Sequence, residues 1–175
     1  MSALEPLETN LNDLFVKKGP VLPESAKNAI VDFLPWASLV VGVFTLLNVY
    51  WLWHWAHWAN ALVNYANTLN ALYGTPTATV SRLTVMVWVG LIVLLVEGLL
   101  YVGAFFGTKD RKKSGWDLLF YALLVNVVYG VVMLFTSYNN VSNLLGTLVW
   151  FVVGGYFLFQ VRSHYLKQPA NSKKA

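Results

Sequence analysis

LTVMVWVGLIVLLVEGLLYVGAFF, Leu83–Phe106, carries one charged side chain, Glu97, in an otherwise apolar run. Stretches of roughly 18 or more mostly apolar residues cross a hydrocarbon core of about 30 Å as helix. The run lacks the polar–apolar alternation of a barrel strand, so it reads as a transmembrane helix. Three further stretches qualify: 36–55, 116–137 and 144–161.

The composition agrees. The chain has 175 residues, of which 57% are hydrophobic and only 11% charged, with a mean hydropathy of +0.55. A soluble domain of this length has too little interior for that much apolar surface, so a bilayer must cover the excess. The expected fold is an all-α integral membrane protein with four transmembrane helices.

Charge orients it. With the N-terminus inside, the inner segments hold Lys17, Lys18, Lys27, Lys109, Arg111, Lys112, Lys113, Arg162, Lys167, Lys173 and Lys174, and the outer segments hold Arg82 alone. Basic residues in short loops resist translocation, which assigns both termini and the 107–115 loop to the cytoplasmic side. An odd number of spans would spoil the pattern. Lys17, Lys18, Lys109, Arg111, Lys112 and Lys113 are also the residues expected to meet anionic lipid headgroups. The basic residues flank spans and form no separate aromatic-interleaved surface, so nucleic acid is not an expected partner.

The segment 1–34 has no signal-peptide core and no Gly at position 2, so insertion is expected to use the first span. Leu4, Leu7, Leu11, Leu14 and Phe15 recur at helical spacing, with Glu5, Glu8 and Asp13 elsewhere around the wheel. An amphipathic helix at the cytoplasmic interface is expected, with Ser2 and Glu5 as a capping box and Gly19-Pro20 as its stop. Docking on a soluble partner is the rival expectation. Pro23 can open a second short helix to Phe33, and Pro35 is expected to separate or kink it from the first span.

The residues Leu14-Phe15-Val16-Lys17-Lys18-Gly19-Pro20, then Leu22-Pro23, Lys27 and Pro35-Trp36 leading into a span, resemble the opening of uncharacterised small bacterial multi-span membrane proteins. The resemblance covers the first fifth of the chain. It implies a bacterial inner membrane, and it transfers no reaction, cofactor or site residue.

After the first span comes WLWHWAHWAN, 51–60, and no Gly or Pro interrupts the chain from Val43 to Tyr73. Trp36 to Tyr73 as one helix would extend about 57 Å, so it must project outward or bend. His57, Asn60, Asn64 and Asn67 form a polar stripe, with Trp58, Leu62, Tyr65, Leu69 and Leu72 across from it. The expectation is that 56–74 lies against the outer interface, its tryptophans in the aromatic belt. A polar seam between copies is the alternative.

His54 and His57 lie one turn apart, the spacing of a metal pair. With no Cys and no outer acid to complete a ligand set, no metal is expected. The distant His164 likewise gives no bis-histidine haem site within one chain, so no cofactor is expected.

Glu97 is the main functional hint. An ionised carboxylate more than two turns from either end of a span costs several kcal/mol, so it needs a partner, a cation or water. Asn126, at matching depth in the third span, is the expected partner, with Asn48 nearer the outer surface. Polar glue between helices and a proton or cation relay are the two roles such a group can have.

Gly103, Gly107, Gly154 and Gly155 predict close helix approach, within or between chains. Asn140-Val141-Ser142 matches a glycosylation acceptor by chance composition. No GxSxG, phosphate-cradling loop, HExxH or inverted repeat occurs, and no catalytic residue is assigned. The expected organisation is a 1–34 cytoplasmic segment, a 35–165 transmembrane domain that includes the outer helix, and a basic tail at 166–175. The expected function is non-enzymatic: a structural or accessory membrane protein that packs with itself or a larger complex. The alternative is a small oligomeric transporter or channel using Glu97.

Overall fold

A computed structural model describes residues 4–74, 85–134 and 141–166, with the side chains of Met86 and 141–144 outside the description. Arg82, Asn140, Lys167, Lys173, Lys174 and the capping-box Ser2 fall outside the described residues. Among the described residues every regular element is helical: α1 (Glu5–Asn12), continued by a π turn at Asp13–Lys17, then α2 (Glu24–Leu72), α3 (Val85–Lys109), α4 (Lys113–Leu134), α5 (Val141–Gln160) and α6 (Arg162–Leu166).

Among the described residues three helices are long and apolar enough to cross a membrane: α2, the Val87–Lys109 part of α3, and α4. In α5 the apolar stretch is shorter, Leu145–Gln160. The accessible surface is 11685 Å², against about 8,600 Å² for a folded soluble chain of this mass. Large apolar side chains such as Phe44, Trp51, Ile92, Val128 and Val149 lie exposed along these helices. Exposed apolar area of this extent marks contact with another apolar phase, as expected of a multi-pass membrane protein.

From α2 to α5, consecutive helices run antiparallel. Gly42 lies against the Val102 backbone and Gly98 against Leu46, joining α2 to α3; Gly107 meets Gly115 at the α3–α4 turn; Gly154 lies against Leu123, joining α5 to α4. These small-residue contacts form within one chain. A Cβ on Gly107 would stand 2.5 Å from the Gly115 backbone, which cannot swing aside as a flexible side chain would. Gly107→Ala is therefore expected to cost about 1–3 kcal/mol, read as a lower thermal midpoint in detergent. The turn closes on Arg111 in the left-handed region at φ 52°, with the Lys112 N–H donating to the Gly107 carbonyl at 2.8 Å.

One local expectation is corrected. Pro35 does not end a helix: Pro23 is the N-cap of α2, which continues through a buried Pro35 to Leu72. Proline lacks only the N–H that would bond one turn back, and burial among neighbouring helices tolerates that loss. Ser38 Oγ donates to the Pro35 carbonyl at 2.8 Å. The expected boundary between 34 and 35 thus falls inside one helix. Leu4 is the N-cap of α1 and carries no side-chain cap, and the Ser2 half of the expected capping box lies outside the described residues.

Candidate functional site

The core gathers at one end of the helices. Trp116, Phe120, Leu158, Phe159, Val161 and Tyr165 are buried together with Phe15 from the N-terminal segment. Trp116 stacks on Phe120 and meets Phe159 edge-on, and its Nε1–H donates to the Leu158 carbonyl at 2.8 Å.

The N-terminal segment packs against this end. Phe15 fills the space over Gly155 and rests on Phe151 and Phe159. Gln160 donates to the Phe15 and Pro20 carbonyls at 3.0 and 3.1 Å and accepts the Leu22 N–H at 3.3 Å. Arg162 reaches Glu8 Oε1 through Nε and a terminal nitrogen at 3.2 and 2.8 Å, with its guanidinium over the Trp116 ring. Glu8 is buried, while Leu7 and Leu14 remain exposed. The expected apolar face is therefore divided: Phe15 enters the core, and Leu7 and Leu14 face outward. Helical spacing alone does not reveal this, because the Arg162 partner of Glu8 lies 154 residues away.

The described basic residues collect at the same end. Arg111 pairs with Asp32 and Lys112 with Asp110 at 2.8 and 2.6 Å; Lys17 pairs with Asp13, Lys113 approaches Asp117, and Lys109 lies over Phe105. Lys18 is exposed. The hydrogen bond and charge of Lys112 hold the Asp110 carboxylate below its ordinary range. In α6, burial pushes the Tyr165 phenol up to about 12, with Arg111 pulling it down and Asp32 adding to the rise.

Glu97 lies in the middle of α3, 6% exposed. Asn126 on α4 is its hydrogen-bonding neighbour, and Oε1 has no partner. Tyr101 and Tyr129 stand within range of its charge, and Tyr101 is joined to Trp150 of α5. The site thus links three helices. Asn48 is not part of it: that side chain is exposed and donates to the Phe44 carbonyl of its own helix. Nearby, a groove of about 450 Å³ is lined by apolar side chains that include Leu34, Val41, Leu123, Trp150 and Phe157, and it offers a polar ligand little to bond.

At the opposite end α2 continues past the start of α3, where Trp53 meets Trp88. His57 Nδ1 lies 3.0 Å from the Trp53 carbonyl with its ring against Trp53, and His54 rests on Tyr50. Among the described residues no three His, Cys, Asp or Glu side chains assemble as a ligand set. Of the polar stripe, Asn60 and Asn67 are half-buried, while His57 and Asn64 are exposed. The apolar stripe across from it is open, with Trp58 at 63%, Tyr65 at 65% and Leu72 at 75% exposure. Comparison with protein families, curated proteins and solved structures finds no match to this chain.

Proposed function

We propose that this chain is a four-span, non-enzymatic membrane protein that builds an assembly, with α2 as the element that reaches out of the bilayer. The observation that carries this is the length of α2, 49 residues without a break. From Trp36 to Leu72 at an average tilt of about 20° it rises roughly 50 Å along the membrane normal, well past about 30 Å of hydrocarbon. A helix that left the span to lie flat would need a sharp kink, and Val43–Tyr73 offers neither Gly nor Pro to make one.

The return of α5 to the N-terminal segment, through Gln160 and Arg162, supports a fourth span and both termini on one side. The gathering of basic residues at that end supports a cytoplasmic placement in a bacterial inner membrane. Anionic headgroups are the lipid partners we assign to Lys18 and Lys109, since Lys17, Arg111 and Lys112 already hold carboxylates and Lys113 approaches one.

Native mass spectrometry of protein extracted from its own membrane tests assembly. Complexes with itself or another protein support it; a bare monomer overturns it.

One observation favours a second role. Glu97 is buried with Oε1 unpartnered, the condition of a proton or cation site. Glu97→Gln separates the two. A structural Glu97 predicts unchanged assembly and thermal midpoint, because the amide still bonds Asn126. A relay predicts loss of proton or cation flux in reconstituted vesicles while folding survives.

A further inference from the structure

From Trp55 onward, the exposed large apolar side chains of α2 follow a stricter rule than amphipathicity. Trp55, Trp58, Leu62, Tyr65, Leu69 and Leu72 are separated by three, four, three, four and three residues. Strict three–four alternation gives a 3.5-residue repeat, the pattern of a left-handed coiled-coil seam rather than of a 3.6-residue face lying on lipid. In that register Trp55, Leu62 and Leu69 take the first core position and Trp58, Tyr65 and Leu72 the second. All six are exposed.

We propose that this stripe is the seam of a parallel coiled coil formed with a second copy of the chain. The inference rests on the assembly reading above and names its partner. Three observations select a second copy.

The first is orientation. Two copies inserted by the same charge rule carry α2 in the same direction and at the same height, so identical core positions meet level by level. The membrane sets the register that a soluble helix pair must encode.

The second is charge. No Asp, Glu, Lys or Arg occurs between Asp32 and Arg82. In a parallel self-pair like charges would face one another, whereas the charged flanks that distinguish a foreign partner are missing here. Ala61, Ala66 and Thr68, which flank the stripe, are small, neutral and exposed. They let a second backbone come close and offer no lysine or arginine for lipid headgroups, which an interfacial helix ordinarily carries.

The third is area. Six side chains of these types cover roughly 600 Å² per copy, near the roughly 800 Å² that each partner gives to a standard interface. The face continues into the bilayer through the exposed Trp51 and Leu47, which can supply the remainder.

The chain contains no cysteine, so single cysteines can be read without background. Leu62→Cys and Leu69→Cys occupy core positions, whereas Asn64→Cys and Ala71→Cys are exposed on the other side of α2. In native membranes treated with copper phenanthroline, the first two are expected to form disulfide-linked dimers at least tenfold faster than the second two. Equal rates, or no dimer from any position, overturn the proposal. A photo-crosslinking benzoylphenylalanine at Leu62 then separates two failures. A discrete adduct to a different protein removes the second copy but keeps the assembly reading, whereas adducts to lipid alone, or none, remove both.

Discussion

Trp116→Ala is expected to destabilise the protein by about 3–5 kcal/mol, the range for removing a fully buried indole. Trp116 is 0% exposed and serves several neighbours at once: Phe120 and Phe159 pack on its ring, Arg162 lies over it, and the Leu158 carbonyl takes its N–H. Truncation opens a cavity where α4, α5 and the N-terminal segment meet. The Leu158 carbonyl serves as acceptor at the end of α5, so the side-chain bond is lost without a helical substitute. Unfolding in mixed detergent should show the loss as a single large shift. Trp150→Ala, at an exposed position on the same fold, should shift it far less. Equal shifts would place the core elsewhere.

Glu8→Ala is expected to cost about 3 kcal/mol, because it leaves the Arg162 guanidinium at a mostly buried site without its carboxylate. The side chains are 9% and 21% exposed, so water replaces little of what is lost. The loss should be local. Hydrogen exchange across α1 and the π turn should accelerate, and cleavage after Lys17 or Lys18 should rise, while α3 and α4 keep their protection. Replacing Glu8 and Arg162 together by Met should recover most of the stability, because a buried ion pair contributes little over apolar packing once neither charge is stranded. A double variant as unstable as Glu8→Ala would mean the pair is worth more than its desolvation.

Apolar runs and their flanking charges made the long helices legible, since both signals are contained within 20 or so residues. The Glu97–Asn126 contact was also within reach, because equal depth in neighbouring spans leaves few partners for a buried acid. What escaped depends on chain segments far apart in sequence. Glu8 looked like a solvated acid until Arg162 and Trp116 came beside it, and Phe15 looked like one of five equivalent apolar residues until Gly155 left room for its ring. Pro35 misled for a different reason: local helix rules describe an isolated helix in water, and a buried proline held by neighbouring helices is outside them.

The docking of the N-terminal segment has a consequence for biogenesis. Its partners Gln160 and Arg162 lie in α5 and α6, 138 and 154 residues downstream of the groups they bond. Glu8 and Phe15 therefore leave the ribosome well before the helices that receive them. During synthesis their docking must wait until α5 and α6 have been made. A ribosome stalled before Tyr156 should leave 5–22 open to proteases, and the same residues should close once synthesis resumes.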